Sequence, residues 1–204
     1  MTSVGIDCAL DCTKRASAIK ANNNDFVGRY YRNSVSKWAP LTSTEARALS
    51  GAGLLIVALW ESKSDVLSHF SYTTGVDEGT SAYKQAMNTG QATRSPIYFA
   101  VDFDCPTDGI AGAVNDYFRG IAHGFDAIGS DNPAYDIGVY GSGNTCGWLL
   151  SHERVKYTWL AQSTKWGGFK TFNNWNIKQG PSKTTPFDYD IDEAKSNYGG
   201  FTIS

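Results

Sequence analysis

The sequence has few of the features that mark nucleic-acid-binding and membrane proteins. Its 18 basic residues are offset by 20 acidic ones, and the net charge is only −2. No electrostatic argument therefore favours nucleic acid or an anionic membrane as a partner. No apolar run approaches the roughly 18 residues of a membrane span. The opening residues, MTSVG, lack the basic and apolar regions of a signal peptide.

Cysteine and histidine are also scarce, with 4 and 3 residues. No CxxC pair or histidine cluster suggests zinc, and no glycine-rich phosphate loop follows the first predicted strand, so we expect no cofactor and no metal. Cys8, Cys105 and Cys146 fall near predicted strand ends and could meet in space. A disulfide therefore remains open, although buried free thiols are the favoured interpretation. The three histidines lie away from strand ends, and no GxSxG elbow is present.

Short apolar segments that alternate with helical patterns organise the chain. This alternation is typical of an α/β fold, and we predict a compact (β/α)8 TIM-barrel-like domain over residues 1–204, with a helix-poor C-terminal third. A doubly wound open sheet is the rival architecture. Thr42 to Glu45 form a capping box, and Asp77 is predicted to cap a helix that stops at Gly90. The predicted strands are 4–8, 26–31, 54–61, the apolar part of 95–106, 136–142, 156–161, 175–179 and 187–192.

Acidic residues stand at the ends of four of these strands: Asp7, Glu61, the pair Asp102 and Asp104, and Asp190. Side chains alternate along a strand, so Asp102 and Asp104 should share a face. In a barrel all strand ends meet at one rim, where active sites lie. Glycoside hydrolysis needs two carboxyl groups, and crowding them raises the pKa of at least one. We therefore predict Asp7, Glu61, Asp102 and Asp104 as catalytic residues.

Other interpretations of these acids stay open. One acid of the fourth strand could cap a helix while the other is solvated, and the Asp-x-Asp pairs could instead bind Ca²⁺ or Mg²⁺. The chain also carries 6 Trp, 11 Tyr and 10 Phe. Aromatic rings at strand ends could stack on sugars, because they offer a flat apolar face with a polar handle. These aromatic residues are Tyr31, Trp60, Tyr140, Trp159 and Trp175.

The ordered set of segments GIDCALD, FVGRYY, LTSTEARALSGAGLLIVALWE, SPIYFAVDFD, DIGVYGS, YTWLAQS, NIKQ and FDYDID resembles the bacterial glycoside hydrolase-like barrel domains. Those domains are similar to the family 25 muramidases. The resemblance implies that Asp7 matches the acid of the first strand. It also implies that Gln179 and Asp190 hold substrate, and that Asp192 stands where the muramidases have Asn.

The fourth strand departs from the muramidase pattern. Asp104 occupies the position of their proton-donating Glu, and its side chain is shorter by about 1.5 Å, one carbon–carbon bond. A misplacement of about 1 Å can cost on the order of 10²-fold in rate. Glu61 is therefore a second candidate for the general acid, with Asp102 and Asp7 as base or charge-stabilising partners.

The expected function is a glycosidase that cleaves peptidoglycan outside the cytoplasm, with a glycan as its partner. The alternative is a non-catalytic carbohydrate-binding barrel associated with the cell wall.

Overall fold

The computed structural model describes residues 2–33, 38–130 and 134–204. Within these residues, eight strands close into a barrel in chain order, which confirms the predicted α/β barrel. The strands are β1 Ser3–Asp7, β2 Phe26–Tyr31, β3 Leu55–Trp60, β4 Pro96–Ala100, β5 Asp136–Gly141, β6 Tyr157–Leu160, β7 Ile177–Lys183 and β8 Tyr189–Ala194. The helices are α1 Ala16–Ala21, α2 Ser43–Gly51, α3 Tyr72–Thr89, α4 Thr107–Gly109, α5 Asn115–Gly129 and α6 Gly143–Ser151.

The eighth strand departs from the expected all-parallel arrangement. Strands β1 to β7 pair in parallel, whereas β8 runs antiparallel to both β7 and β1. The connection from Lys183 to Tyr189 contains no helix, and it is too short for the crossover of a dozen or more residues that a parallel return requires. Asp190 therefore lies at the beginning of its strand. It still reaches the rim, because it pairs with Asp7, the last residue of β1.

Side-chain alternation divides the strands into two packed layers. One set of residues, including Phe26, Leu59, Tyr98 and Trp159, forms a cluster of its own inside the barrel. The alternate residues pack outward against the helices in a larger cluster. As expected for the C-terminal third, no helix forms in residues 152–204, all of which the structure describes. Across the described residues, no helix is long and apolar enough to cross a membrane.

The N-terminal cap predicted for α2 agrees with the structure, whereas the cap predicted for α3 does not. The Thr42 hydroxyl accepts the Glu45 amide N–H at 3.2 Å, which confirms the cap. The Glu45 side chain does not close the box, because it pairs with Arg29 on β2 instead, at 2.6 Å between Oε1 and Nε. Helix α3 is capped by Ser71, whose hydroxyl accepts the Thr74 N–H, so Asp77 lies inside the helix. Because Ser71 already accepts an amide N–H of the first turn, the helix begins before Asp77 and does not need Asp77 as its cap.

Helices α3 and α5 approach each other closely over the outer face of the barrel. Glycines form the contact: a Cβ added to Gly75 would collide with the Tyr117 carbonyl, and one added to Gly120 would collide with the Tyr72 carbonyl. This close approach brings Tyr117 to Glu78, whose carboxylate accepts the phenol hydroxyl. The buried Glu78 is thereby held against the end of β3, where the candidate site begins.

Candidate active site

A cavity of about 340 Å³ opens at the rim where the parallel strands end. Its walls come from lumen-facing residues at the rim end of the strands and from the residues that follow β3, β4 and β6. Both acids that follow β3 and β4 reach it. The lining residues are Tyr30, Leu59, Glu61, Ala100, Asp102, Tyr140, Gln162, Ser163, Trp166, Gln179 and Asp190.

Glu61 and Asp102 are the two carboxyl groups with raised pKa values in this cavity. Burial, followed by the charge of Asp102, raises the pKa of Glu61 to about 7, although Arg32 opposes the shift. Burial, followed by the charge of Asp65, raises the pKa of Asp102 to about 6. Near neutral pH, Glu61 therefore keeps a proton in a large fraction of molecules, while Asp102 is mostly ionised.

The position of Glu61 is held from outside the barrel. Its neighbours on both sides donate hydrogen bonds to Glu78 of α3: the Trp60 indole N–H at 2.9 Å and the Ser62 hydroxyl at 2.6 Å. The Asp102 amide N–H donates to the Ser64 carbonyl at 2.7 Å, which ties the loop after β4 to the loop after β3. The two carboxyl groups therefore sit on mutually bonded loops.

A hydrogen-bonded layer centred on Gln179 lies against the cavity. The Gln179 Nε2 donates to Asp7 Oδ2 at 2.8 Å and to Asp190 Oδ2 at 3.1 Å, and its Oε1 accepts the Tyr140 hydroxyl at 2.8 Å. The Tyr30 hydroxyl donates to the other oxygen of Asp7 at 2.6 Å. Burial raises the pKa of Asp7, which is 2% exposed, to about 6, and the Tyr30 hydrogen bond opposes the shift.

Asp192 lies beneath this layer and is completely buried. Its Oδ1 accepts the Trp159 indole N–H at 3.0 Å. Its Oδ2 has no hydrogen-bond partner among the described residues. Burial, followed by the Asp7 charge, raises the pKa of Asp192 well above its usual range. Burial and the Asp7 charge therefore both favour the protonated form of Asp192.

A second cavity of about 350 Å³ adjoins the first, with Asp7 on its wall. The two cavities share Tyr30 and Asp190, which stand between them. The second cavity is lined by Asp7, Cys8, Ala9, Leu10, Tyr30, Trp38, Ser182, Lys183, Thr184, Asp188, Tyr189 and Asp190.

Four of the five predicted sugar-stacking aromatics do not line the rim cavity. One of them, Trp175, lies instead against the Lys195 ammonium, at 4.1 Å from its ring centroid. Tyr31 and Trp60 face the helices and are 0% and 1% exposed, with hydrogen bonds to Gln91 and Glu78. Because Trp60 is adjacent to the inward-facing Glu61, strand alternation sends it outward. Trp159 faces inward but is buried below the cavity, where its indole N–H donates to Asp192. Tyr140 and Gln179, by contrast, line the cavity as expected, as does Asp190.

Asp104 is the catalytic candidate that the structure places elsewhere. Strand β4 ends at Ala100, so the alternation that aligns Asp102 with Asp104 no longer applies beyond it. Asp104 is exposed, does not line the cavity, and accepts the Gly167 amide N–H at 2.9 Å. Asp102 therefore lines the cavity and Asp104 does not, so the two acids do not share the face that the sequence predicts.

The sequence reasoning missed Tyr30, Gln162 and Trp166. The sequence carried a partial signal for Tyr30. Side chains alternate along a strand, so if Tyr31 faces outward, Tyr30 must face inward. Nothing in the pattern singled out Gln162 or Trp166, which lie in the helix-free connection after β6. Only the closure of the barrel brings that connection over the cavity.

Comparisons with known proteins agree with this architecture. The chain is 30% identical over 177 residues, 81% of its length, to the uncharacterized protein YbfG of Bacillus subtilis, of which the match covers 24%. The chain spans about a quarter of the length of the curated relatives it matches.

Two solved structures show the same fold at lower identity. The Tat-secreted protein Rv2525c of Mycobacterium tuberculosis, crystallised with HEPES, superposes with a TM-score of 0.79 at 24% identity, covering 97% of this chain and 98% of that one. The bacterial lysozyme of Streptomyces coelicolor superposes with a TM-score of 0.61 at 18% identity, covering 95% and 92%. The family model of the Rv2525c-like, glycoside hydrolase-like domain matches residues 17–197. The chain belongs to this family of glycoside hydrolase-like domains.

Proposed function

We propose that the chain is a glycosidase that cleaves the β-linked amino-sugar chain of bacterial peptidoglycan. The observation that carries the proposal is the pair of carboxyl groups of Glu61 and Asp102 on one rim cavity, with pKa values of about 7 and about 6. Two carboxyl groups that titrate apart can act as acid and base at the same pH.

In the proposed mechanism, Glu61 is the general acid. Its carboxyl proton passes to the glycosidic oxygen as the bond to the anomeric carbon breaks, which leaves a sugar with oxocarbenium character. The ionised Asp102 stabilises the positive charge or accepts a proton from the incoming nucleophile. The Trp60 and Ser62 bonds to Glu78 hold the acid in place, which matters because small displacements cost rate.

The remaining walls of the cavity supply binding contacts. Gln179 is oriented by Tyr140 and by two carboxylates. The half-buried Trp166 offers an apolar surface of the kind on which sugar rings stack. Asp7 is nearly enclosed, so its charge acts on the site through Tyr30 and Gln179.

We also propose that the chain acts outside the cytoplasm, because peptidoglycan lies there. Support comes from the family relative of Mycobacterium tuberculosis described as Tat-secreted and from the fold shared with a bacterial lysozyme.

The test is turbidity clearing of purified peptidoglycan, combined with analysis of the released muropeptides. We expect Glu61→Gln and Asp102→Asn to abolish release. Asp104→Asn is the matched control, since it removes an exposed carboxylate outside the cavity while keeping an oxygen for the Gly167 amide. Full activity in both cavity variants, or a loss confined to Asp104→Asn, would contradict the proposal.

A second candidate function is non-catalytic binding of cell-wall carbohydrate. It is favoured by Asp104, which replaces the muramidase Glu and lies outside the cavity. Sedimentation with insoluble peptidoglycan, without release of reducing ends from the wild-type chain, would support binding alone. In that case Glu61→Gln should leave the sedimented fraction unchanged.

A further inference from the structure

Two of the four cysteines lie in contact beside the site. The Sγ atoms of Cys8 and Cys12 are 3.3 Å apart, and both side chains are buried. The positions of the cysteines near predicted strand ends suggest a different grouping, in which Cys8 lies close to Cys105 and Cys146. Those two thiols each face backbone carbonyls: Cys105 that of Pro106, and Cys146 those of Gly141 and Trp159.

We propose that Cys8 and Cys12 are a modification site, a thiol pair that closes to an intramolecular disulfide when a disulfide-bearing oxidant is present. The bond requires an S–S separation of about 2.05 Å, so the sulfurs must approach by roughly a further 1.3 Å. Residues 8–12 belong to no helix or strand, so the turn between the two cysteines can adjust while the Cys8 amide keeps its bond to the Gly28 carbonyl at 3.3 Å.

A buried ion pair holds the two ends of this segment together. Arg29 donates from Nη1 to the Cys8 carbonyl at 2.7 Å, and Glu45 accepts the Cys12 amide N–H at 2.7 Å. Arg29 and Glu45 are bonded to each other and fully buried. The two cysteines are therefore anchored on one rigid pair, which keeps their sulfurs in contact.

The chemistry is thiol–disulfide exchange with a small disulfide such as oxidised glutathione. One thiolate attacks the external disulfide and releases the first molecule of reduced glutathione. The second thiolate then attacks the mixed disulfide and releases the second molecule. Two electrons pass to glutathione, and the two thiol protons are taken up by the leaving thiolates.

Cys12 is the thiol of the pair that ionises more readily. The hydrogen bond with Cys8 lowers the pKa of Cys12, with the Arg29 charge acting in the same direction against burial. The same contact, together with burial, raises the pKa of Cys8. Cys8 also lines the second cavity, which gives a small oxidant a route to the pair.

The proposal does not depend on glycoside hydrolysis. It does affect the site, because Cys8 directly follows Asp7, and a closed disulfide would restrict the segment that leaves the end of β1.

The experiment equilibrates the full folded chain over a series of glutathione redox ratios, alkylates the free thiols, and maps tryptic peptides without reduction. Lys14 is the first tryptic site, so one peptide, residues 1–14, carries both cysteines. We expect this peptide to become lighter by two hydrogen atoms and unlabelled at oxidising ratios. Cys105 and Cys146 should keep their alkyl labels and serve as controls within the same sample.

Thermal unfolding provides a second measurement. The midpoint of the wild-type chain should rise on oxidation, and Cys105→Ser should retain this rise, whereas Cys12→Ser should abolish it. Two alkyl labels on peptide 1–14 at every ratio would overturn the proposal. A stable glutathione adduct on one of its cysteines, or a crosslink to Cys105 or Cys146, would overturn it as well.

Discussion

Replacement of Asp192 by asparagine tests whether this buried side chain is a neutral acid. The wild-type carboxyl accepts the Trp159 indole N–H, and both burial and the Asp7 charge favour its protonated form. In Asp192→Asn the amide oxygen can still accept from Trp159, and the amide carries no charge at any pH. The variant therefore preserves the Trp159 hydrogen bond and removes the titration.

The expected effect follows from proton linkage. Because the folded-state pKa of Asp192 is raised, its stabilising contribution is complete below the unfolded pKa of about 3.9 and is lost as pH rises toward the folded pKa. One proton retained only in the folded state lowers the free energy of unfolding by about 1.4 kcal/mol per pH unit, so we compare unfolding at about pH 5 and about pH 7. Asp192→Asn lacks this proton, so this decrease in the free energy of unfolding with pH is absent from the variant.

The assay is thermal unfolding followed by circular dichroism at both pH values. For a chain of this length, about 1.4 kcal/mol corresponds to about 3–6 °C in midpoint, so the midpoint of Asp192→Asn should rise relative to that of the wild type by about this much per pH unit. Glu193→Gln is the matched control, because it removes an exposed carboxylate at the next position of β8. If the wild-type and Asp192→Asn midpoints shift in parallel with pH, Asp192 is ionised and the interpretation of the buried pair is refuted.

Three further predictions follow from the same contacts. Hydrolysis should show a bell-shaped kcat/KM profile that rises above about pH 6 as Asp102 ionises and falls above about pH 7 as Glu61 loses its proton, and Glu61→Gln should remove activity throughout. Arg29→Ala should lower the free energy of unfolding by about 3–5 kcal/mol in denaturant titrations, because it leaves Glu45 buried and unpaired. Trp166→Ala should weaken glycan binding by about 10-fold or more in calorimetry, through loss of a stacking contact of about 1.5 kcal/mol.

Each of these predictions has a result that contradicts it. A rate that stays constant from about pH 5 to about pH 8 would exclude Glu61 and Asp102 as acid and base. A loss below about 1 kcal/mol in Arg29→Ala would show that the ion pair behaves like an exposed one. Trp175→Ala is the control for Trp166→Ala, since the Trp175 ring lies against Lys195 and does not line the cavity. Equal losses of glycan affinity in both variants would show that Trp166 is not a specific contact.

Local patterns accounted for most of the barrel. Apolar segments with a period of two and helices between them are properties of neighbouring residues, so β2, β5 and the Thr42 cap could be predicted from the sequence. The reversal of β8 could not be predicted from strand pattern alone, because a buried strand has the same composition in either direction. The length of the preceding connection carried the relevant signal.

The residues of the candidate site also divide into those that the local sequence identifies and those that it does not. Glu61 and Asp102 could be identified because an acid at the end of an apolar strand is visible in the sequence, and the structure places both on the cavity. Asp104 could not be separated from Asp102 by inspection, because alternation extends only as far as the strand, and β4 ends at Ala100.

The sequence by itself determined the order of strands and helices and placed acids at the barrel rim, because both depend on residues close together in the chain. Only the tertiary structure decided which acids are buried together, that Asp192 lies under Asp7, and that Cys8 contacts Cys12. These relations depend on barrel closure, which joins β8 to β1 across nearly the whole length of the chain. The pKa values that the proposed chemistry needs arise from that burial, and they could not be derived from local pattern.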